Sequence, residues 1–388
     1  MMKVLNVNMS LDPVHGGGSV ERTFQISRHL VKAGCQCTVI TTDIGLTIQR
    51  ISELKGVDVV AFPTLVKRFY IPMFSYRKIK DIVKSIDIIH LINHWTLLNA
   101  LVYIIARRLK KPYVVCPAGS LPYHKRSEKI KKYYNLLIGY RIIRNANGYI
   151  AISPDEIGQF REYGIHADNI SLIPNGINID DFHDVHENTF RKKFKIGDKP
   201  FVLFMGRLTS IKGPDLLLRA FCKVINSKNI DYHLVFAGPD EGMLPELKEI
   251  SQKQGVDDKV HFIEYVGGID KVSAYYEADL LVIPSRQEAM SIVVLEAGIT
   301  GTPALLTDRC GFNIIEDIHG GKVVPATIEG LASGLTKLLS KPDQLESMGK
   351  GLRKYVYENY TWEKIINEHI ALYDKILSSR SYNNEGNS

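Results

Sequence analysis

The stretch ADLLVIPSRQEAMSIVVLEAGITG, Ala278–Gly301, runs from a short apolar segment through a polar loop into a second apolar segment. Leu280 to Ile283 are four large aliphatics in a row, as in a parallel strand covered on both faces. The second segment is helical in length, with Ser291 as its N-cap. Glu288 lies in the loop and Glu296 in the helix, eight residues apart. A helix start already attracts anions, so one carboxylate there is routine. Two of them, directly after a buried strand, point to a ligand with hydroxyl groups to hold.

The same strand–loop–helix unit recurs in both directions. Toward the N-terminus the strand candidates are KVLNVNM, CTVITTD, VDVVAFP, IDIIHLI, PYVVCPA, GYIAIS and NISLIPN. They are rich in Val and Ile with little strict alternation, and helical segments such as SVERTFQISRHLVKAG separate them. From Pro200 the pattern restarts with PFVLFMG, YHLVFAG, KVHFIEY, DLLVIPS, TPALLTD and GKVVPA. Strands spaced by helices give βαβ units and a doubly wound sheet. The expected fold is therefore α/β, with two Rossmann-like doubly wound domains facing a cleft. We expect an N-terminal domain over 1–178, a polar linker over 179–198 and a second domain over 199–359. An amphipathic helix over 360–378 is expected to pack back on the first domain, leaving a disordered tail over 379–388.

A chain of 388 residues, 45% hydrophobic and 23% charged, fits a two-domain globular protein. Its five cysteines are scattered, and Cys35 and Cys37 would point to opposite faces of a strand, which fits a reducing compartment. The start, MMKVLNVNMS, turns polar too soon for a signal peptide, and Ile86–Leu109 is interrupted by His90, Asn93, His94 and Asn99. A cytoplasmic location is expected, with peripheral attachment at the inner membrane face. The net charge of +7 divides into +12 over residues 1–175 and −5 over the remainder. The first half is suited to meet something anionic.

Ligands of open α/β sheets bind beyond the carboxyl ends of the strands. Gly16, Gly17 and Gly18 follow the first strand and open a helix, where amides can approach a phosphate closely. A flexible loop would read the same way. The spacing matches neither the dinucleotide fingerprint nor the P-loop. Arg207 and Lys212 follow the first strand of the second domain, a planar fork and a mobile point charge suited to a diphosphate. Taken alone, the pair could be two solvated surface charges. Amides near Met290, Ser291 and Ile292 could also take a phosphate. Glu296 could accept both hydroxyls of a ribose, and Glu288 a hydroxyl of a second sugar.

GRLTSIKGPDLLLRAF, LVFAGPDEG, YYEADLLVIPSRQEAMSIVVLEAGITGTPALLT and GGKVVPA together resemble the family 4 retaining glycosyltransferases of GT-B fold. The match is strong over 200–340 and looser over 1–175, and IPNGIN at Ile173–Asn178 resembles that family's turn between lobes. The resemblance implies catalytic roles for Arg207 and Lys212 on the diphosphate and for Glu288 on the transferred sugar. It also implies Glu296 on the ribose, and amides around Met290, Ser291 and Ile292 on phosphate or sugar. Gly16 to Gly18 would close over the diphosphate from the other lobe. The donor base would lie near Tyr265 and Val266. Neither metal nor cofactor is implied.

Two departures stand out. The family's His-Gly pair is here Ala118-Gly119, and its GFG after the first glutamate is AMS. The missing histidine leaves Gly119 with His90, His94 and His124 as acceptor-side candidates.

The expected reaction moves a sugar from a nucleotide diphosphate sugar to a hydroxyl of a glycan or lipid-linked saccharide, as in polysaccharide biosynthesis. An epimerase of the same architecture and a non-catalytic nucleotide-sugar binding protein are the alternatives. The segment 123–144 carries seven Lys or Arg and one Glu, with Tyr123, Tyr133, Tyr134 and Tyr140 interleaved, as on surfaces that meet anionic membranes. No nucleic-acid module accompanies this charge.

Overall fold

The computed structural model describes residues 1–122, 128–182, 189–227 and 230–385. The chain divides into two compact units, one formed by Met1–Asn175 with the chain from Trp362 onward, the other by Gly176–Thr361.

The first unit is built on seven parallel strands: β1 (Lys3–Val7), β2 (Gln36–Thr42), β3 (Val57–Phe62), β6 (Ile88–Ile92), β7 (Tyr113–Cys116), β8 (Gly148–Ala151) and β9 (Ile170–Leu172). Between β3 and β6 comes a small antiparallel hairpin of β4 (Thr64–Val66) and β5 (Ile71–Pro72). The order is β3-β2-β1-β6-β7-β8-β9, so the winding reverses between β1 and β6. Val4 is registered with Cys37 on one side and Ile88 on the other. Helices cover both faces, which is why Val4, Leu5, Ile88 and Ile89 are all fully buried although they neighbour one another in sequence.

The second unit repeats the plan with β10 (Phe201–Met205), β11 (His233–Ala237), β12 (Val260–Ile263), β13 (Leu280–Ile283), β14 (Ala304–Thr307) and β15 (Gly321–Val324). All pairs are parallel, in the order β12-β11-β10-β13-β14-β15. The reversal lies between β10 and β13, and the crevice beyond such a point is where doubly wound sheets take ligands. Strand β13, which precedes Glu288 and Glu296, lies next to the reversal.

Two expectations about the connections change. The segment 179–198 contains a helix, Thr189–Phe194, joined to the second unit. The Glu277 carboxylate accepts the Phe190 and Arg191 amides at 2.8 and 2.9 Å, and Thr189 Oγ1 donates to Ser273 Oγ at 2.9 Å. Its polarity had suggested a linker, but Arg191 donates to Glu277 O at 3.0 Å and Lys193 to Asp270 Oδ2 at 2.6 Å, so these charges hold the helix to the second unit.

The C-terminal helix, Trp362–Glu385, packs on the helix Gly17–Lys32 and extends past the expected end at 378. Residues 379–385 are helical because the hydrogen-bonded spiral simply continues. Ser379 Oγ donates to Ile376 O at 2.9 Å and Arg380 to Lys110 O at 2.6 Å, which fastens that turn.

Candidate functional site

The loop after β10 is shaped by two close approaches. Gly206 N donates to Ala237 O and Leu208 N to Pro239 O, both at 2.9 Å, so the loop runs beside the one after β11. Gly213 has φ of +69°, and a Cβ there would lie 2.1 Å from Pro284 O. Only glycine permits both the left-handed turn and that contact with the chain leaving β13.

Arg286, absent from the sequence reading, staples the two loops. It donates to Ser210 O at 2.6 Å and grips both oxygens of Asp215 at 2.8 and 2.6 Å, while its own amide bonds Ile211 O at 2.8 Å. A bidentate fork of this kind fixes orientation as well as distance. Burial would raise the Asp215 pKa, but the Arg286 bonds and charge outweigh it and hold the carboxyl below the usual aspartate range.

This staple brings together the residues singled out from the sequence. Lys212 Nζ donates to Glu288 Oε1 at 2.8 Å, and Ser285 Oγ donates to Glu288 Oε2 at 3.0 Å. Arg207 Nη1 donates to Glu241 Oε1 at 2.7 Å, and both side chains remain about one-third exposed. Each cation is thus held in place by a carboxylate at the carboxyl edge of the sheet. Behind Glu288, burial first and then the Glu288 charge push the Cys310 thiol up to about 12, so it stays protonated.

The helix Ile292–Thr300 begins at Ser291, whose side chain does not cap it. Ser291 is fully buried and its Oγ has no hydrogen-bond partner. A buried hydroxyl without a partner is costly, and one beside the first free amides of a helix suits an anion's oxygen. Met290 is also buried, and Ile292 is half-buried.

One turn on, Glu296 is nearly buried and already engaged. Lys271 Nζ donates to Oε1 at 2.8 Å and Tyr275 Oη to Oε2 at 2.6 Å. Burial and the neighbouring Glu296 charge raise the Tyr275 pKa well above its ordinary value, so the phenol remains a donor. Each carboxylate oxygen keeps a second lone pair for another hydroxyl. Lys271 and Tyr275 lie four residues apart on the helix Gly268–Glu277, so their side chains share one face, a pattern not used in reading the sequence. Tyr265 is half exposed after β12, whereas Val266 is buried.

In the first unit, Gly16, Gly17 and Gly18 follow β1 at the corresponding reversal point and lead into the helix Gly17–Lys32. Gly17 has φ of +68°, and a Cβ on Gly16 would lie 2.4 Å from Asp12 O. Asp12 shapes this turn by accepting the Val14 amide at 2.9 Å.

The acceptor-side histidines fare differently. His90 is fully buried within β6, where Nδ1 meets Tyr373 Oη at 2.9 Å and burial holds the ring neutral. His94 is buried too, with Nε2 2.8 Å from Asn135 Oδ1 and aromatic rings of Trp95, Tyr134 and Tyr163 around it. Both are core residues, so neither offers an exposed imidazole to an acceptor. Gly119 donates its amide to the buried Glu156 carboxylate, and Ala118 beside it adopts φ of +49°. His124 lies outside the described residues.

Two family models match the chain: "Glycosyltransferase Family 4" over residues 16–181 and "Glycosyl transferases group 1" over 185–355. Over 214 residues the chain is 34% identical to an uncharacterized glycosyltransferase of Methanocaldococcus jannaschii, covering 53% of this chain and 54% of that protein. It is 31% identical over 224 residues to mannosylfructose-phosphate synthase of Agrobacterium fabrum, covering 55% and 46%. The matched part therefore spans about half the length of these curated relatives.

Among solved structures, HepE from Anabaena in complex with UDP and glucose is similar, with a TM-score of 0.77 and 18% identity over 98% of this chain and 100% of that one. Sucrose-phosphate synthase from Thermosynechococcus elongatus gives 0.75 and 21% over 98% and 100%. At these identities the likeness shows the fold, which is GT-B.

Proposed function

Because the chain belongs to the family 4 glycosyltransferases, we infer that it transfers a hexose from a nucleotide diphosphate sugar to an acceptor hydroxyl with retention of anomeric configuration, without a metal ion. The observation that carries this reading is the pair of pre-positioned cations, Arg207 on Glu241 and Lys212 on Glu288, at the reversal point of the second sheet. As the glycosidic bond breaks, negative charge grows on the leaving diphosphate. Cations held beside that position need only turn from their carboxylates to stabilise the charge, and electrostatic stabilisation of this kind is often the largest catalytic contribution.

The other roles follow from the same placement. When Lys212 turns to phosphate, Glu288 becomes free to accept a hydroxyl of the transferred sugar, still held by Ser285. The buried Ser291 hydroxyl and the amides of Met290, Ser291 and Ile292 face the same anion. Glu296, braced by Lys271 and Tyr275, accepts the ribose diol. Tyr265 and Val266 flank the base. The complexes of HepE with UDP and with UDP-glucose support a nucleotide sugar as donor. The acceptor in this reading is a glycan or a lipid-linked saccharide, recognised through the first unit near Gly119, and the reaction belongs to polysaccharide assembly.

A thermal-shift screen of nucleoside diphosphates and their sugars identifies the donor, since a bound ligand raises stability as ln(1+[L]/Kd). Incubation of the preferred donor with saccharide acceptors then gives a product whose anomeric configuration NMR reads directly. An α-linked product from an α-linked donor is expected. Release of an epimerised nucleotide sugar without any acceptor would overturn the assignment.

A further inference from the structure

The first unit carries large apolar side chains on its surface in two segments that both leave the carboxyl edge of its sheet. The hairpin region after β3 exposes Phe69, Met73 and Phe74, and the helical segment after β7 exposes Tyr133, Leu136 and Leu137. Leu136 is 74% and Leu137 71% exposed. Between them Asn135 is buried, bonding His94 at 2.8 Å and the Tyr163 hydroxyl at 2.8 Å. The amide is inside and the leucines are outside, the inverse of a solvated helix face.

A π-helical turn, Asn135–Gly139, sits at this point and interrupts the α-helical spacing. Such turns concentrate at functional positions.

Both segments are tied to one part of the fold. Strand β5 packs on the helix Leu97–Arg108, while Tyr134 Oη donates to Thr96 O, the cap of that helix, at 3.0 Å. The ends of β3 and β7 are four strand spacings apart, ~19 Å. Clusters of exposed large apolar side chains are seldom left on the surface without a partner.

Charge selects the partner. Lys67, Arg68, Arg77, Lys78 and Lys80 accompany the first segment, and Lys129, Lys132, Arg141 and Arg144 the second, all exposed. Apolar side chains that protrude among cations match the boundary of an anionic bilayer, where rings and aliphatic chains enter the headgroup layer and the cations meet phosphate. No helix among the described residues is long and apolar enough to cross a membrane, so such contact would be peripheral.

We propose that the hairpin 64–76 and the helical segment 128–144 form a two-part dock by which the first unit rests on an anionic lipid surface. The dock enlarges the basic segment recognised in the sequence by an apolar hairpin that packs on the helix Leu97–Arg108. The part of that segment at 123–127 lies outside the described residues.

The test is co-sedimentation of the full chain with phosphatidylglycerol-rich vesicles at physiological salt, with pure phosphatidylcholine vesicles as comparison. Binding to the anionic vesicles is expected, at least about tenfold stronger than to the neutral ones, because phosphate attraction adds to apolar insertion. Leu136→Glu with Leu137→Glu, and separately Phe69→Glu with Met73→Glu, should each weaken it about tenfold or more while leaving the melting temperature nearly unchanged.

No sedimentation with anionic vesicles would overturn the proposal, as would binding that neither double variant weakens. Sedimentation equilibrium without lipid supplies a further check. A dimer abolished by both variants, with no vesicle binding, would make the patch an interface between copies and overturn the lipid assignment. None of these readouts depends on glycosyl transfer.

Discussion

Lys212 Nζ and Glu288 Oε1 lie 2.8 Å apart although 76 residues separate them in sequence. The contact exists because β10 and β13 are neighbours at the reversal of the sheet and Arg286 fixes the loops that leave them. Glu288→Gln keeps the size of the side chain and an oxygen for Lys212 but removes the charge. We expect it to lower kcat by about 10²-fold while shifting stability by less than about 1 kcal/mol. Steady-state kinetics beside thermal melting separate the two effects. Unchanged kcat would remove Glu288 from the reaction.

Arg286→Ala should act through position. It deletes two bonds to Asp215 and one to Ser210 O, leaving a half-buried carboxylate with weaker support. A loss of about 1–3 kcal/mol is expected, together with a rise in donor KM and a fall in kcat. Asp215 has a depressed pKa in the fold, so its stabilising contribution is present at neutral pH and is lost as pH falls through and below the usual aspartate range near ~4. The variant should therefore show a smaller loss of stability on acidification to that range than the parent. Equal acid profiles would contradict this role.

Tyr275→Phe removes one of the two donors to Glu296. The carboxylate then has Lys271 alone of the two, and under the proposed function a ribose would be held less firmly. A rise of about tenfold in donor KM with little change in kcat is expected, corresponding to the net worth of one charge-assisted hydrogen bond. A fall in kcat at constant KM would instead assign the tyrosine to the chemical step.

The sheets were legible because parallel strands buried on both faces appear as uninterrupted aliphatic runs, and IDIIHLI, DLLVIPS and TPALLTD all became strands. The hairpin of β4 and β5 was not, since strands of three and two residues leave no periodicity to detect. In the site, Arg207, Lys212, Glu288 and Glu296 drew notice by following strands. Their partners Glu241, Arg286, Asp215, Lys271 and Tyr275 are set by loop geometry and helix register, which composition does not encode.

His90 is instructive. Its place inside IDIIHLI already made it a strand residue, and the aliphatics on either side of it mark a position covered from both faces.

The buried histidines predict acid sensitivity. Burial lowers His94 to about 4, the Asn135 bond only partly opposing it, against about 6.5 in the unfolded chain. Between those values the unfolded chain binds a proton that the folded chain refuses. Stability is therefore full above about 6.5 and declines as pH falls toward 4, by about 3 kcal/mol for this residue. His369, lowered to about 3 by burial and then by Arg22, adds to the slope. Melting curves of His94→Gln should be flatter over that interval than those of the parent. An equally steep profile would place the sensitivity elsewhere.

The proposed function requires the carboxyl edge of the second sheet to bind a diphosphate through Arg207 and Lys212. Titration calorimetry of the preferred nucleoside diphosphate into the parent and into a protein carrying Arg207→Ala and Lys212→Ala tests it most directly. Saturable one-to-one binding by the parent is expected, with a loss of about 10²-fold or more in affinity for the double variant, about 1.5–3 kcal/mol for each charged contact. Equal dissociation constants for the two proteins would contradict it.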